Sequence, residues 1–414
     1  MKSQQSIKHI LALIISATAW LGHAQERVAT ISGTIMDKQT RRAIEAASIT
    51  IPGTDIGTVS NADGHFTLRV SSTAKAIQLL VSHIGYENLY HPIAHGDAMD
   101  VKFYLTPNSY ALDAVNVYGG NARELVTQAV RKIADNYEDK DNLLTGFYRE
   151  TIQKRRHYTT ITEAVVGLYK SPYRSGIRSD RVQLYKGRKI LTPKSGDTLS
   201  VKLAGGPMLA VYLDIAKNMN FMLDRHELEN YDFAHDMLVS IDNKTHYAIK
   251  FKPRLKAPYA LFSGTLYIDE KTLTIARAEM HLEGSELEKA TKYMMRKKPA
   301  GLRFGLNGLS YTIAYRSNGG RNYLYYARSE IKFSCDWRRR LFNTNYTITS
   351  ELVTTDRQRE PTASIAPKDA FRQSHSLDDR ASDFYDPNFW GEYNIIEPTE
   401  SLEHAINRIK KQRR

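Results

Sequence analysis

The chain has 414 residues, of which 42% are hydrophobic and 25% are charged, and its formal net charge is +13 at pH 7. This composition excludes a mainly disordered chain and a collagen-like repeat. The length predicts two or three domains, because single hydrophobic cores stop growing at about 250–300 residues. The positive charges are scattered, which argues against nucleic acid and favours anionic lipid headgroups, acidic glycans or an acidic protein as partners.

The N-terminus has the pattern of a secretory signal peptide over residues 1–24. Lys2 and Lys8 are followed by an apolar stretch over residues 10–21, and Gly22-His23-Ala24 has the usual cleavage spacing. The apolar stretch is shorter than the about 20 residues needed to span a bilayer. We therefore expect a soluble periplasmic or cell-surface protein, and no lipid anchor, because no cysteine stands directly after this stretch to become the mature N-terminus.

The only cysteine, Cys335, predicts a protein without an internal disulfide. Cys335 lies in a strand-like run, so we expect a buried small hydrophobic residue there rather than a nucleophile.

Residues 26–106 contain short runs of alternating polarity between turn signals. Phe66, Leu68 and Val70 alternate after Asp63-Gly64, a strong hairpin signal. Six or seven such runs without a helical pattern predict a small β-sandwich.

Three of these runs resemble the carboxypeptidase-regulatory-like domain, a seven-stranded transthyretin-like (prealbumin-like) sandwich: Ile31–Ile35, Ala46–Thr54 and Gly57–Phe66. Arg41–Glu45 replaces a turn that is often rich in Gly and Pro, and Asn61 stands where the family often has aspartate. The resemblance implies a non-catalytic module, which begins many outer-membrane nutrient transporters of the Bacteroidetes. Too few residues follow it here for the plug and barrel of about 22 strands of such a transporter.

Residues 107–140 are predicted to form a connector with a helix that begins after Asn121 as N-cap, with Glu124 three residues on. The hydrophobic period then changes to two over residues 141–398, with strands near 147–154 and 158–170 and a second helix near 207–218. The predicted fold is mainly β: the sandwich, then an α+β domain with a large antiparallel sheet. We expect residues 120–414 to fold without the sandwich.

Two further segments carry resemblances. Gly264–Asp269 and Thr272–Ile275 are similar to strand pairs of periplasmic lipoprotein-carrier proteins, which implies an open half-barrel around an acyl chain. Asp386–Asn394 resembles the end of envelope proteins that carry the same N-terminal module.

The tail over residues 399–414 predicts a short basic helix with an apolar stripe of Leu402, Ile406 and Ile409. One interpretation is a docked helix with cations at its C-terminal end. The other is a peripheral contact with an anionic membrane surface.

No motif of this sequence indicates a reaction, and we predict no cofactor. Glu150 and Glu163 are weak catalytic candidates. If the turn between their strands is Arg155-Arg156, the two carboxylates share a face and could perform acid–base chemistry. A shift of one residue instead places Arg149 opposite Glu163 and makes an ion pair, which is the interpretation we favour.

A metal site is not predicted either. His91 and His95 have a spacing that binds zinc on a helix, and Asp97 and Asp100 could add ligands. Pro92 argues against a helix there.

Two aromatic clusters are candidate contact sites. Tyr323, Tyr325 and Tyr326 crowd with arginines that include Arg328, and an exposed cluster of this kind can stack on sugar rings or bind a partner. The alternative is a half-buried sheet face. A second cluster, Phe389, Trp390 and Tyr393, is either a clamp that closes the core or a docking patch.

Three functions remain open. A non-enzymatic envelope protein for binding or assembly predicts an exposed aromatic patch. A carrier of a lipid or another apolar ligand predicts a dry sheet face lined by Tyr, Ile and Leu. A hydrolase or peptidase-associated protein predicts converging Glu, His or Ser groups with shifted pKa values.

Overall fold

The computed structural model describes residues 28–71, 77–93, 98–108, 121–191, 201–294, 300–338, 343–381, 390–391 and 393–413. The predicted signal peptide and three of the candidate residues, His95, Asp97 and Phe389, lie outside these ranges. Within them, no helix has the length and apolar character needed to cross a membrane.

The N-terminal module is a sandwich of two sheets, as the sequence predicts. One sheet has the order β4-β1-β7 and the other β3-β2-β5-β6. Ile31, Phe66 and Leu79 lie in the core between them. The turn at Asp63-Gly64 requires a positive φ of 78° at Gly64, which glycine adopts at little cost. The strands are β1 Val28–Asp37, β2 Ser48–Thr50, β3 Gly57–Val59, β4 His65–Ser71, β5 Ile77–Ser82, β6 Leu89–Ile93 and β7 Ala98–Leu105.

The second part is built on one ten-stranded sheet in which all neighbouring strands are antiparallel, with the order β10-β9-β8-β17-β16-β15-β14-β13-β12-β11. This confirms the predicted mainly β fold with a large antiparallel sheet. The strands are β8 Asn142–Lys154, β9 His157–Lys170, β10 Arg181–Leu191, β11 Tyr231–Ile241, β12 Lys244–Pro253, β13 Ser263–Asp269, β14 Ile275–His281, β15 Leu302–Asn318, β16 Arg321–Trp337 and β17 Thr344–Arg359.

Short helices connect and cover the sheet. The side chain of Asn121 accepts a hydrogen bond from the Arg123 N–H (2.9 Å), so it caps α1 as predicted. The predicted helix near 207–218 is shorter, because Asp214 leaves the helical conformation. The helices are α1 Ala122–Arg131, α2 Ile133–Asn136, α3 Met208–Leu213, α4 Arg225–Leu228, α5 Ser285–Met294 and α6 Glu400–Arg413.

The two faces of the large sheet have different covers. On the helix face, side chains such as Leu144, Tyr148 and Ile313 pack against α1, α3 and the segment that follows α3. On the module face, side chains such as Phe147 and Tyr325 pack against the N-terminal module and against Trp390, Ile395 and Ile396. Each face is therefore covered where these elements pack, and alternate residues of β8 belong to different cores.

The module and the sheet share an extensive polar contact. The Tyr325 hydroxyl donates to the Thr58 carbonyl (2.7 Å), and the Asn61 amide donates to the carbonyls of Glu397 (3.2 Å) and Pro398 (2.9 Å). Residues 390–391 and 393–398, which we call the strap, thus lie between the module and β8. Removal of the module would uncover apolar side chains of the sheet, which argues against the expectation that residues 120–414 fold independently.

Helix α6 docks on the same face of the sheet. Leu402 and Ile406 are buried against Ile161 of β9, as the apolar stripe predicts. The side chains after residue 407, Ile409 and the basic end among them, lie outside the described residues.

Candidate functional site

Glu163 lies at the centre of a buried ion-pair network on the module face. The structure has the register in which Arg149 is opposite Glu163. One oxygen of Glu163 is 2.6 Å from Arg149 Nη2, and the other is 2.6 Å from Arg188 Nη2. Burial alone raises the pKa of Glu163, but the charges and hydrogen bonds of the two arginines outweigh it and hold this pKa below its usual value.

The same network holds the strap. Arg149 Nη2 donates to the Ile396 carbonyl (2.7 Å), and the Arg188 guanidinium lies 4.8 Å from the ring centroid of Trp390. Glu163 therefore connects β8 and β10 to the strap through the two arginines. This is the ion pair predicted as the alternative to an acid–base site.

Glu150 is on the helix face, so the two carboxylates do not face each other. It is 4% exposed and accepts a hydrogen bond from the Tyr148 hydroxyl (2.8 Å). Burial, opposed by that hydrogen bond and assisted by the charge of Asp378, raises the pKa of Glu150 to about 8. A shared acid–base site of Glu150 and Glu163 is excluded by this geometry, because the sheet separates their side chains.

The tyrosine cluster of β16 lies inside the molecule. Tyr323, Tyr325 and Tyr326 are each 5% exposed or less. Arg328, next to them, forms ion pairs with Glu45 of the module and with Glu351. These tyrosines do not form an exposed patch, because Tyr325 and Tyr326 are covered by the module and Tyr323 is part of the helix-face core.

The second aromatic cluster belongs to the strap. Trp390 is buried, and its ring meets Phe147 edge to face with 5.3 Å between centroids. Tyr393 is half-buried, and the backbone carbonyl of this residue accepts a hydrogen bond from Arg69 of the module (3.2 Å). The geometry is that of a clamp between module and sheet.

The remaining histidine candidate is part of the module. His91 lies on β6, where its ring meets Phe103 edge to face at 5.1 Å. Among the described residues, no group of three or more His, Cys, Asp or Glu side chains has a metal-binding arrangement.

A different feature, which we call the apolar cluster, lies at one end of the helix face. Phe262 and Tyr311 pack against both this cluster and the main core, so the two share a face. The period-two pattern of β16 and β17 indicated these apolar positions, but not what covers them. The buried members are Ile152, Leu282, Leu302, Leu306, Leu309, Ile331, Phe333, Cys335, Tyr346 and Ile348. Cys335 is 1% exposed, as expected, and burial raises the pKa of its thiol.

Helix α5 lies over part of the apolar cluster and contributes only half-buried side chains to it. Leu287 and Ala290 pack on the cluster while remaining half-buried, and none of the ten residues of this helix, all of which are described, is buried. The hydroxyl of Thr291 accepts a hydrogen bond from the Leu306 N–H (3.2 Å). Tyr293 near the C-terminal end of the helix is 74% exposed. A dry apolar surface under a thin cover is a geometry that can accept an apolar ligand.

Comparison with solved structures gives low similarity over about 60% of the chain. A putative outer membrane lipoprotein-sorting protein domain from Vibrio parahaemolyticus has 13% identity and a TM-score of 0.26, with 58% of this chain and 95% of that chain covered. A LolA superfamily protein from Nitrosomonas europaea has 9% identity and a TM-score of 0.25 (61% and 99% covered). A DUF1329 family protein from Desulfovibrio piger has 9% and 0.24 (59% and 96% covered).

Sequence comparison concerns the N-terminal part of the chain. No curated protein matches the sequence significantly. Residues 31–117 match the family described as the CarboxypepD_reg-like domain, which confirms the module predicted from the sequence.

Proposed function

We propose that the chain is an exported, non-enzymatic binding protein of the cell envelope that takes up an apolar ligand beneath helix α5. The single observation that carries this proposal is the apolar cluster, ten buried side chains that are covered in part by a helix with no buried residue of its own. It favours the carrier alternative over an exposed aromatic patch, since the tyrosines of that patch are buried.

The energetics of the cover support the proposal. Fully burying a Leu, Ile or Phe side chain contributes about 1.5–3 kcal/mol, so the apolar cluster requires an apolar cover. Helix α5 supplies two half-buried side chains, Leu287 and Ala290, for this role. An element with few buried contacts opens at lower cost than the core does. An acyl chain or another slender apolar ligand can replace the contacts of the helix without exposing the sheet to water.

The rest of the chain fits a location in the envelope. The signal-peptide pattern over residues 1–24 predicts export, and the net charge of +13 favours anionic surfaces. The N-terminal module would position the ligand-binding sheet, because it is docked on the face opposite α5. In this proposal the protein presents its helix face to the ligand and its module to the envelope.

Binding of a fluorescent fatty acid tests the proposal, with the full chain and two variants of the same helix. Leu287→Glu places a carboxylate against the apolar cluster, whereas Tyr293→Glu places the same group at an exposed position. We expect saturable binding to the wild type, at least about tenfold weaker binding to Leu287→Glu, and unchanged binding to Tyr293→Glu.

Native mass spectrometry of the gently purified protein supplies the second readout. A bound lipid-sized mass that leaves on denaturation would support the proposal. Absence of saturable fatty acid binding together with a ligand-free mass would overturn it, and so would equal binding by the two glutamate variants.

A further inference from the structure

A second cavity lies between the N-terminal module and the large sheet, on the face opposite helix α5. Its volume is about 300 Å³, at the lower end of the range for small-molecule sites. Ser48, Thr50 and Asn88 line it from the module, and Lys244, Arg277 and Arg316 line it from β12, β14 and β15. Both the module and the sheet contribute to the lining, so the docked arrangement creates the site.

The cavity is rich in positive charge. The charged side chains in its lining are Asp242, Lys244, Arg277 and Arg316, an excess of cations. Arg277 is partly neutralised by Glu279, with 2.8 Å between Nε and Oε1. His83 adds no charge, because burial and then the charge of Arg277 lower the pKa of His83 to about 4. Arg316 and Lys244 therefore outnumber Asp242, which leaves a net positive charge to attract an anion.

Arg316 is held in place with part of its hydrogen-bonding capacity unused. Its Nη2 donates to the Thr54 carbonyl (3.0 Å), and its guanidinium lies 5.7 Å from the ring centroid of Tyr325. A side chain at Gly57 would crowd it, because a Cβ there would be 3.2 Å from Nη1. Nη1 is buried and has no hydrogen-bond partner among the described residues. A buried donor without an acceptor is unfavourable, and an anionic ligand that approaches the guanidinium would relieve this cost.

Acceptors and hydroxyl groups complete the lining. The Asn88 Oδ1 is likewise buried without a partner among the described residues, so it can accept from a ligand hydroxyl. Ser48, Thr50 and Thr54 add hydroxyl groups around the cavity. Tyr90, 49% exposed, also lines the cavity and offers a ring face for stacking. Carboxylate recognition by arginine combined with many hydroxyl contacts is the chemistry that suits an acidic sugar.

We propose that this cavity binds a small acidic sugar, a hexuronic acid or the end unit of an acidic glycan, with its carboxylate on Arg316 and its hydroxyls towards Asn88 and Ser48. The site is independent of the apolar cluster, because the two lie on opposite faces of the sheet. Ligand occupation would join module and sheet, since each supplies part of the contact.

Isothermal titration of the full-length mature chain with glucuronate tests this site, with glucose and inorganic phosphate as comparison ligands and a short glucuronate-terminated oligosaccharide as the glycan arm. Arg316→Gln removes the central charge. Lys244→Gln removes a charge in the cavity lining, and Lys252→Gln removes the same charge from an exposed position of the same strand outside the lining. The melting temperature of each variant monitors folding.

We expect glucuronate to bind at least about tenfold more tightly than glucose or phosphate. Arg316→Gln should weaken glucuronate at least about tenfold, Lys244→Gln several-fold, and Lys252→Gln not at all. Tighter binding of the oligosaccharide would identify the glycan end, and tighter binding of the monosaccharide the free acid. No binding of either, equal binding of glucose, preference for phosphate, or equal effects of the two lysine variants would overturn the proposal. The lysine pair keeps the test decisive if Arg316→Gln does not fold.

Discussion

Lys170 and Asp214 form a fully buried ion pair with 2.8 Å between Nζ and Oδ2, and this pair ties the end of β9 to the end of α3. Asp180 lies 3.2 Å from the same Nζ and also pairs with Lys217 (2.5 Å). The Tyr315 hydroxyl donates to Asp214 (2.9 Å). Two lysines and two aspartates thus balance their charges inside the helix-face core, and they fasten the segment that covers it.

Asp214→Asn should destabilise the protein strongly, because it leaves the two buried lysines with one carboxylate. Breaking a buried ion pair from one side typically costs about 3–5 kcal/mol. The control is Asp135→Asn, which breaks the exposed pair of Lys132 and Asp135 and should cost less than about 1 kcal/mol. Urea denaturation at pH 7 measures both free energies of unfolding. Equal losses in the free energy of unfolding would show that the buried pair contributes no more to stability than the exposed pair.

Glu163→Gln should destabilise the chain most at neutral pH. The pKa of Glu163 is below its usual value in the folded state, so its ionised form stabilises the fold above the unfolded pKa, about 4.5. That contribution is lost as the pH falls through the lower folded pKa. We therefore expect the gap in the free energy of unfolding between wild type and variant to be large at pH 7 and to narrow below about pH 4. A difference in the free energy of unfolding that does not change with pH would contradict a stabilising role of the ionised Glu163.

Glu150→Gln is the matched opposite case. The folded pKa of Glu150 is raised to about 8, so the protonated carboxyl stabilises the fold. This contribution is complete below the unfolded pKa of about 4.5 and is lost as the pH rises through 8. Between these pKa values the wild type loses about 1.4 kcal/mol per pH unit, which the variant does not lose. At pH 9 we expect Glu150→Gln to be more stable than the wild type, and at pH 4 about equal. Urea denaturation at the two pH values checks this, and a destabilised variant at pH 9 would refute it.

Deletion of residues 28–106 should leave a fragment that is less stable than the whole chain, although the sequence predicts that the sheet folds without the module. The module covers Tyr325, Tyr326 and Val353, which are each 5% exposed or less in the whole chain. Their exposure adds apolar surface to water, so we expect increased binding of an anilinonaphthalene dye and a lower melting temperature. A soluble fragment with the melting temperature of the whole chain and no dye binding would show that the sheet is an independent unit.

The thiol of Cys335 provides a built-in probe of helix α5, because the sole cysteine of the chain lies in the apolar cluster. Its raised pKa and burial predict slow reaction with N-ethylmaleimide under native conditions. We expect Leu287→Glu, which disturbs the cover, to accelerate labelling, and a bound fatty acid to slow it in the wild type. Mass spectrometry measures the rates, with Tyr293→Glu as control. A labelling rate that is the same in all three proteins would argue against opening at α5.

Much of the fold could be predicted from local patterns. The period-two alternation of β16, the turn at Asp63-Gly64 and the cap at Asn121 are determined by neighbouring residues, so they can be recognised one segment at a time. The module was recognisable because its turns and strands follow at a characteristic spacing. The buried position of Cys335 followed from its apolar strand.

The sites depended on relationships that local patterns do not contain. A one-residue slip between β8 and β9 would have placed Tyr148 rather than Arg149 opposite Glu163, and strand alternation allows both registers until the strap and Arg188 are in position. Ser48 and Tyr325 form a hydrogen bond beside the cavity between module and sheet although 277 positions separate them in the chain. Only the docking of the module onto the sheet brings the two walls of this cavity together. The surfaces that stabilise this docking belong to distant parts of the sequence, so no local pattern contains them.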